Sequence, residues 1–579
     1  MTEFVSPGGP LPHIPDDLTL TQFILDSTHE RMPIRPQGAT WLVEDATGRK
    51  VGLEEIRSRV FGFANALNLK WGISEDDVVC IFSQNHIDYP TVIWAVHRLG
   101  AILTGANPSY TPEELAYQLS IAKATVLIVH PDALEGALVA AQQVGIPFDR
   151  VVPLDTIRGP RSSTVAPDLH QLIAYGLAHP PNFVERRLRP GEGKTKVAFL
   201  SFSSGTTGKP KAVEIPHYAP IANIIQMATW WRVNDDAIPW ENRRIRLGDI
   251  ALAVLPFYHI YGLVVNLHFF LFCGMSVVVL PRFDFVKFLE SIQRHRATHI
   301  LMVPPMVVLL CKHPAVNKYD FSHVRMLFCG AAPLSGALTE KVAKLLPNAD
   351  IGQGYGMTET STSVSMVPLS QKTGTLGSAG QLIPGVRARV VKVDGTLAKI
   401  GESGELYIKT PSLALRYKDN EKATAETFIG DGWIRTGDAV VIDKNNDMFI
   451  VDRLKEILKV RGFQVAPAEL EGHLLQHPDV ADTCVVGVPD DYAGEVPLAY
   501  VVLSADAAKR ALQSQAEAAK IKATISKHVA DHKAPYKRLA GGIEFIDAIP
   551  KNPSGKLLRR TLRDKATRRQ SQLLNKARL

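Results

Sequence analysis

The segment 201–211, SFSSGTTGKPK, has the composition of a loop that binds phosphate groups. It follows an apolar run and combines five hydroxyl side chains with two glycines and two lysines. Glycine lets the backbone approach a ligand closely, and hydroxyl, amide and lysine groups bind phosphate oxygens. A Walker loop is excluded, because Gly205 and Gly208 are only three residues apart and Lys209 is followed by Pro210. A Ser/Thr-rich surface loop is the alternative, but such loops rarely combine Gly, hydroxyl and Lys in this order.

Six further motifs follow along the chain, and each is ambiguous when taken alone. His259 lies on an apolar stretch, where a histidine is more often a core group than a ligand. Lys556 lies in a basic tail, and the stretch around Tyr355 only partly matches the GxGxxG pattern of a dinucleotide site. The motifs are LPFYHIYG at 255–262, CGAAPLS at 329–335, GQGYGMTET at 352–360, GWIRTGD at 432–438, VDRLKEILKVRGFQ at 451–464 and IPKNPSGKLLRR at 549–560.

In their order these motifs resemble those of the superfamily of adenylate-forming enzymes. This superfamily includes acyl-CoA synthetases, coumarate-type CoA ligases, firefly luciferase and the adenylation domains of peptide synthetases. The resemblance covers nearly the whole chain, and it is greatest to coumarate-type and fungal aryl- or acyl-CoA ligases. It implies an AMP-forming acid–thiol ligase. Such an enzyme uses ATP and Mg²⁺ to convert a small-molecule carboxylic acid into an acyl-adenylate, and then coenzyme A to form a thioester.

The resemblance also implies which residues bind the nucleotide. Tyr355 stacks on adenine, Thr358 contacts the α-phosphate, and Glu359 holds Mg²⁺, which prefers one or two carboxylates together with phosphate oxygens and water. Asp438 accepts both ribose hydroxyls, as one carboxylate can, and Arg453 adds a contact there. The other residues assigned to ATP are Ser203, Ser204, Gly205, Thr206, Thr207, Gly208, Lys209, Gly330, Ala331, Ala332, Gly354, Gly356 and Gln464.

Further residues are assigned to the chemical step and to a rotation of the C-terminal lobe. His259 is expected beside the carboxylate of the acid, and Lys556 is expected to bridge the acid and the α-phosphate. Lys455 matches the hinge about which the lobe rotates between the two half-reactions. Arg461 replaces the usual Lys of KGF and retains a cation for a coenzyme A phosphate. The catalytic set is Lys556, His259, Thr358 and Glu359. The coenzyme A and hinge set is Lys455, Lys459, Arg461 and Gly462.

The acid pocket is the part of the site on which the sequence is least specific. Tyr261 matches a pocket aromatic of coumarate-type ligases, but Phe328 stands where those ligases usually have Lys, and 361–363 replaces their Gly-Pro-Val. An apolar Phe328 suits a less polar substrate end. Cinnamate-like, phenylacetate-like and medium-chain aliphatic acids therefore remain open. Transfer of the acyl group to a carrier-protein thiol or another acceptor is the alternative function.

The elements that must position these residues indicate an α/β fold with a largely parallel sheet. Short β-branched runs such as 124–129 and 324–328 alternate with amphipathic stretches such as 113–121 and 338–346. The resemblance implies a large N-terminal domain of stacked α/β subdomains with a small β-rich subdomain, followed by a small mobile α/β lobe. We predict an N-terminal AMP-binding domain over 1–452 and a C-terminal AMP-binding lobe with a basic tail over 453–579.

Within the C-terminal lobe, the patterns predict a helix over 466–476, strands over 480–488 and 498–503, and a helical stretch over 507–532. In the large body, the segments 404–408 and 431–453 read as short antiparallel strands.

Charge and composition limit the partners. The formal net charge is +7, but the segment from Lys556 to the C-terminus contains nine basic residues and one acidic residue. The excess positive charge is therefore concentrated in the tail, and a general surface for binding nucleic acid is not supported. No signal peptide and no membrane span is predicted, and five scattered cysteines indicate a reducing compartment. The terminal tripeptide Ala577, Arg578 and Leu579 matches the loose form of the peroxisomal import signal. We expect an import receptor as partner and a peroxisomal location, with the cytoplasm as the alternative.

Overall fold

The computed structural model of the chain describes residues 3–156, 166–203, 210–461, 463–490, 493–551 and 557–577. Strands within these ranges are numbered in chain order. They are β1 (Phe4–Val5), β2 (Thr40–Glu44), β3 (Lys50–Gly52), β4 (Val78–Phe82), β5 (Ile102–Ala106), β6 (Ala124–Val129), β7 (Val151–Pro153), β8 (Val197–Ser203), β9 (Lys211–Pro216), β10 (Ile250–Ala253), β11 (Ser276–Val279), β12 (His299–Met302), β13 (Met326–Cys329), β14 (Asp350–Met357), β15 (Thr362–Met366), β16 (Gln381–Leu382), β17 (Arg387–Val391), β18 (Ser403–Lys409), β19 (Arg416–Tyr417), β20 (Trp433–Ile442), β21 (Met448–Arg453), β22 (Leu458–Val460), β23 (Phe463–Val465), β24 (Val480–Asp490), β25 (Gly494–Leu503) and β26 (Gly542–Phe545).

The helices are numbered in the same way. They are α1 (Leu20–Leu25), α2 (Leu53–Trp71), α3 (Tyr89–Arg98), α4 (Pro112–Ala122), α5 (Leu134–Val144), α6 (Leu169–Ala178), α7 (Tyr218–Trp230), α8 (Phe270–Phe272), α9 (Phe285–Arg294), α10 (Pro304–Lys312), α11 (Gly336–Leu345), α12 (Glu421–Thr427), α13 (Pro467–Leu474), α14 (Ala505–Gln513), α15 (Gln515–His532) and α16 (Arg559–Ala577). A π-helix over Tyr261–Phe269 leads directly into α8.

Two large sheets form the body of the protein. The order of the first is β19-β9-β8-β5-β4-β6-β7, with β4 to β8 parallel to their neighbours and β9 and β19 antiparallel. The order of the second is β16-β15-β14-β13-β12-β10-β11-β2-β3, with its middle strands parallel. The β-branched run at 124–129 forms β6, and most of its side chains are buried. Strands covered on both faces read as continuous apolar runs, which is why the sequence identified them.

A third, smaller sheet has the order β1-β17-β18-β20-β21 and is antiparallel throughout. It contains the segments 404–408 and 431–453, for which the sequence predicted short antiparallel strands. The apolar region 250–280 forms β10, the π-helix, α8 and β11, all of which are largely buried. None of the helices described here is long and apolar enough to cross a membrane.

The C-terminal lobe has its own sheet and its own hydrophobic core. The sheet runs β23-β22-β25-β24, with β26 added beside β25. One core of the body extends to Met448, and the core of the lobe begins at Leu458. The boundary at 452 falls between them and stays a prediction. The predicted helical stretch over 507–532 is instead two helices, because Ser514 is extended and its hydroxyl caps α15 by accepting the N–H of Glu517 at 3.1 Å.

Candidate active site

A cavity of 1640 Å³ opens between the body and the C-terminal lobe. It lies at the carboxyl ends of β8, β13 and β14, the edge at which open α/β sheets bind their ligands. Most of the described candidate residues line it. They are Ser203, His259, Tyr261, Phe328, Gly330, Ala331, Ala332, Gly354, Tyr355, Gly356, Thr358, Glu359, Asp438, Arg453 and Lys455.

Three described candidates lie elsewhere, on the hairpin formed by β22 and β23. Lys459 is opposite Gln464 in this hairpin, and both side chains are exposed, as is that of Arg461. The N–H of Arg461 donates to the carbonyl of Ala493 at 2.8 Å. In this orientation of the lobe, the structure does not bring Lys459, Arg461 or Gln464 to the cleft. The candidates Ser204, Gly205, Thr206, Thr207, Gly208, Lys209, Gly462, Lys556, Arg578 and Leu579 lie outside the described residues.

Glu359 is a buried carboxylate at the centre of the cleft. It lies in a short turn directly after β14 and is 5% exposed. Its Oε1 accepts hydrogen bonds from the hydroxyl of Tyr417 at 2.7 Å and from the Ser203 hydroxyl at 3.3 Å. Burial, together with the adjacent charge of Glu359, raises the pKa of Tyr417, so its hydroxyl remains a donor. The ammonium of Lys211 lies 4.7 Å from the centre of the Tyr417 ring.

Tyr417 is a site residue that the sequence analysis missed. Its strand, β19, pairs with β9 at the edge of the first large sheet. Arg416 Nε donates to the buried carboxylate of Glu214 at 2.8 Å, which fixes the edge strand in place. Because Tyr417 and Glu359 are 58 positions apart, no local pattern links them, and no signal in the sequence predicted Tyr417 as a site residue.

Asp438, the predicted ribose ligand, is held by two neighbours. The Tyr355 hydroxyl donates to its Oδ2 at 2.6 Å, and Arg453 Nε lies 3.5 Å from its Oδ1. Asp438 and Arg453 face each other across β20 and β21. Burial, and then the charge of Asp438, raise the pKa of Tyr355 well above its ordinary value. The tyrosine at the predicted adenine position therefore also orients the carboxylate at the predicted ribose position.

His259 lies at the entrance to the π-helix. The N–H of Tyr261 donates to its Nδ1 at 3.3 Å, which leaves the proton of the neutral ring on Nε2. The turn is compact at Gly262, where a Cβ atom would lie 2.1 Å from the carbonyl oxygen of Pro256. A glycine is therefore required for the chain to turn and present His259 at the cleft.

Aromatic rings close one wall of the cleft. Phe328, at the end of β13, is 2% exposed and packs edge-on against Trp231 with ring centres 5.6 Å apart. A Cβ atom at Gly354 would lie 2.4 Å from Phe328 Cζ, so the ring fills the space above that glycine. The Tyr261 hydroxyl donates to the carbonyl of Phe328 at 3.3 Å. The polar groups described in this wall are the Tyr261 hydroxyl and the Phe328 carbonyl, which bond to each other, and the ring surfaces are apolar.

The segment that replaces the Gly-Pro-Val of coumarate-type ligases has a strained backbone. Ser361 has φ +52° and Thr362 has φ +112°, a region that a β-branched residue rarely adopts. Thr362 is held there by its hydroxyl, which donates to the Ile260 carbonyl at 3.1 Å. Asn223 exchanges hydrogen bonds of 2.7 and 3.0 Å with the main chain of Ser363. Such conformations cost about 1–3 kcal/mol and persist where surrounding contacts determine them.

A buried network of charges adjoins Lys455. Arg559, the first residue of α16, forms ion pairs with Glu456 and with Glu471 of α13, the latter at 2.5 Å. Its guanidinium is also 3.9 Å from Asp452, at the end of β21. Burial raises the pKa of Asp452 to about 6 despite this cation. Arg559 lies three positions after Lys556, the predicted catalytic lysine. It therefore connects this segment to Asp452 before the predicted hinge Lys455 and to Glu456 after it. Arg559, Glu456, Glu471 and Asp452 were not predicted as site residues from the sequence.

Comparison with known proteins agrees with this architecture. Residues 31–418 match the AMP-binding enzyme family, and residues 469–556 match the AMP-binding enzyme C-terminal domain. Phenylacetyl-CoA ligase epaB of Aspergillus niger is 37% identical over 534 residues, which cover 90% of this chain and 92% of that protein. 4-Coumarate–CoA ligase 5 of Oryza sativa subsp. japonica is 35% identical over 560 residues, which cover 95% of each chain.

Solved structures give the same result for the fold. The crystal structure of the anthranilate CoA ligase AuaEII in complex with anthranoyl-AMP has a TM-score of 0.80 at 24% identity, and the match covers 96% of this chain and 99% of that one. ATP-bound MatB of Rhodopseudomonas palustris has a TM-score of 0.78 at 25% identity, with 95% and 99% covered. The chain therefore belongs to the AMP-binding enzyme family. The predicted superfamily, fold class and AMP-forming acid–CoA ligase activity are confirmed.

Proposed function

We propose that the acid joined to coenzyme A is an aryl acid of the cinnamate or phenylacetate type. The observation that carries the proposal is the aromatic wall of Tyr261 and Phe328 beside Glu359 and His259 in one cleft. A flat apolar wall suits an aryl group, and the polar residues beside it suit a carboxylate and a phosphate. Among the relatives, one is named for phenylacetyl-CoA and another for 4-coumarate. Medium-chain aliphatic acids form the second class to be tested.

In the first half-reaction, the carboxylate of the acid attacks the α-phosphorus of ATP, and pyrophosphate leaves. Negative charge grows on the phosphoryl oxygens, and Thr358 and Lys556 stabilise it by donating hydrogen bonds. His259 orients the attacking carboxylate through its Nε2 proton. Asp438, held by Tyr355 and Arg453, binds the ribose hydroxyls and fixes the position of the α-phosphate. Because the acyl-adenylate is a mixed anhydride, the thiol of coenzyme A then displaces AMP without a side-chain nucleophile.

Glu359 is the residue that we assign to Mg²⁺. The chemistry of its surroundings fits that ion, because a buried carboxylate lies beside hydroxyl oxygens and opens to the cleft where phosphates bind. When bound, Mg²⁺ neutralises charge on the phosphate oxygens. Tyr417 and Ser203 keep the Glu359 carboxylate in position by donating hydrogen bonds to it.

The second half-reaction requires the lobe over 453–579 to rotate about Lys455. Lys459, Arg461 and Gln464 are exposed on one hairpin, away from the cleft in the present orientation. A rotation of the whole lobe withdraws Lys556 and presents this hairpin to coenzyme A. We place the domain boundary at 452, in the interval that separates the two hydrophobic cores.

A coupled assay on purified protein tests the reaction and the acid together. AMP and thioester formation are followed with cinnamic, phenylacetic, benzoic and medium-chain aliphatic acids, with and without coenzyme A. The proposal predicts the highest kcat/KM for a cinnamate- or phenylacetate-type acid, and no thioester from Lys556→Ala. A clear preference for aliphatic acids contradicts the acid class. Pyrophosphate release without any thioester contradicts coenzyme A as the acceptor.

We also propose import into peroxisomes through the terminal tripeptide. The support is the match of Ala577, Arg578 and Leu579 to the import pattern, together with a relative named peroxisomal OPC-8:0-CoA ligase 1. A fluorescent protein fused to the N-terminus leaves the C-terminus accessible to a receptor. Punctate fluorescence that coincides with a peroxisomal marker is expected, and it becomes diffuse when 577–579 is deleted. Diffuse fluorescence of the intact fusion contradicts the proposal.

A further inference from the structure

At the border of the cleft, three histidine side chains of the C-terminal lobe lie together. His473 is in the last turn of α13, and His528 and His532 are one helical turn apart at the end of α15. One nitrogen atom of each ring lies within 4.8 Å of the corresponding atoms of the other two. Residues four apart share one face of a helix. Helix α15 therefore presents a pair of imidazoles to which α13 adds a third.

Main-chain carbonyls determine which nitrogen of each ring is protonated. His473 Nε2 lies 3.1 Å from the carbonyl oxygen of His528, and His528 Nε2 lies 3.2 Å from that of His473. His532 Nδ1 lies 2.9 Å from the carbonyl oxygen of His528. A carbonyl only accepts, so these nitrogens donate, and the second nitrogen of each neutral ring keeps its lone pair. Histidines that bind metals have this arrangement, with the far N–H bound to a carbonyl or a carboxylate.

We propose that His473, His528 and His532 form a binding site for a divalent transition-metal ion of the Zn²⁺ type. Neutral imidazole is a preferred ligand of such ions, whereas Mg²⁺ prefers oxygen ligands, so this site is chemically distinct from Glu359. The ring centres are 4.2 Å apart for His473 and His528, and 5.4 Å apart for His528 and His532. The rings of His473 and His528 are stacked with an interplanar angle of 4°, so one of them must turn about its Cβ–Cγ bond to bind an ion shared by all three. Three protein ligands leave a fourth position for water.

Neighbouring groups define the extent of this site. The ring centre of His477 is 5.4 Å from that of His528, but no nitrogen of His477 lies within 4.8 Å of the ligand atoms of all three histidines, and its Nδ1 accepts the N–H of Asp479 at 3.1 Å. The carboxylate of Glu469 is paired with Lys533 and Lys537 rather than with the histidines. The ligands of the proposed ion are therefore the three imidazoles.

The location of the site gives the ion a structural consequence. The chain that follows α13 contacts the body of the protein, where Lys312 Nζ donates to the carbonyl of Leu475, directly after the helix, at 3.0 Å, and to that of Val480, the first residue of β24, at 2.7 Å. His473 itself lines the cleft. An ion held by all three histidines ties α15 to α13 beside this contact. Its binding stabilises the lobe, because it links two helices that otherwise separate on unfolding.

The experiment is calorimetric titration of the metal-free full-length protein with ZnCl₂, repeated with MgCl₂. Variants His532→Ala and His528→Gln test the site, and both are first checked for an unchanged far-ultraviolet circular dichroism spectrum. His179→Ala is the matched control. His179 is an exposed histidine at the end of α6, and its Nδ1 lies 2.8 Å from the carbonyl four residues before it, as in His532. Cobalt(II) absorption in the visible range reports the ligand set independently of calorimetry.

The expected result is one saturable Zn²⁺ site whose affinity falls by about tenfold or more in His532→Ala and His528→Gln, since loss of even an indirect contact has that effect. His179→Ala keeps the affinity of the native chain, and MgCl₂ gives no heat from this site. Absence of saturable Zn²⁺ binding in the native chain overturns the proposal. Binding that both variants retain at full strength also overturns it, because the ion then lies elsewhere.

Discussion

The hydroxyl of Tyr417 donates a 2.7 Å hydrogen bond to the carboxylate of Glu359, which joins the edge strand β19 to the turn after β14. Residues that hold a metal-binding carboxylate commonly contribute about 10–100-fold to metal affinity. We therefore expect Tyr417→Phe to raise the Mg²⁺ concentration for half-maximal adenylation by about tenfold. The KM for the acid should stay nearly unchanged. Pyrophosphate exchange measured at a series of Mg²⁺ concentrations checks this.

Tyr175→Phe is the matched control for that experiment, because Tyr175 lies on α6 and does not line the cleft. An unaltered Mg²⁺ dependence in Tyr417→Phe means that Tyr417 does not position Glu359.

Phe328→Leu should change the preference among acids. Phe328 fills the space above Gly354, and a shorter side chain opens that space at the end of the aromatic wall. We expect kcat/KM to rise for acids with a bulkier or longer apolar end, and to fall by about tenfold for the preferred small aryl acid, the lower end of the effect of one methylene in an apolar pocket. Parallel assays with a graded series of acids measure the change. An identical ranking of acids in variant and native protein rules out Phe328 as a pocket residue.

Arg461→Ala should separate the two half-reactions. Arg461 is exposed on the hairpin away from the cleft, so adenylation, followed by pyrophosphate exchange, should proceed at the native rate. Thioester formation should show a KM for coenzyme A raised by about tenfold, the effect of losing one charge-assisted contact of about 1.5 kcal/mol. Arg461→Lys should recover much of the loss because it retains the cation. Equal loss in both half-reactions contradicts the assignment to coenzyme A.

Arg559 and Glu471 should be strongly coupled in stability. Replacing one partner of a buried ion pair leaves an uncompensated charge and costs about 3–5 kcal/mol. Arg559→Gln and Glu471→Gln should each lower the thermal midpoint of the lobe, whereas the double variant should lose less than the sum of the two. Differential scanning calorimetry of the four proteins gives the coupling. Additive losses mean that the contact carries no net interaction.

Asp452 should make stability depend on pH. Its pKa is raised to about 6, mainly by burial, so the folded state binds a proton more tightly than the unfolded chain does. The protonated Asp452 therefore contributes to the free energy of unfolding. This contribution is fully present below the pKa of the unfolded chain, about 3.9, and it is lost as the pH rises through about 6. Between pH 5 and 7.5, the free energy of unfolding of the native chain should therefore fall by roughly 1 kcal/mol relative to Asp452→Asn. Thermal unfolding of both proteins across this range measures the difference, and parallel pH profiles contradict it.

The sequence by itself determined the family and the α/β class, and most of the described residues that it predicted for the nucleotide site line one cleft. Motifs such as the one that ends at Asp438 are contiguous, so the residues that they contribute could be recognised within one short stretch of chain. Buried parallel strands such as β6 also read directly from continuous apolar runs. The helix break at Ser514 was missed, because a single polar residue within a helical pattern does not reveal that its side chain caps the next helix.

Contacts between distant segments were decided only by the tertiary structure. Tyr417 meets Glu359 because the edge strand β19 pairs with β9, and Arg559 meets Glu471 across 88 positions because α13 and α16 both pack against β24. The three histidines of the lobe likewise come from two helices, α13 and α15, and strands β24 and β25 lie between these helices in the sequence. A local pattern fixes which residues share one loop or one helix face. Which faces of helices and strands meet depends on how the sheets pack and on which charged groups are buried between them. Neither can be read from any single stretch of the chain.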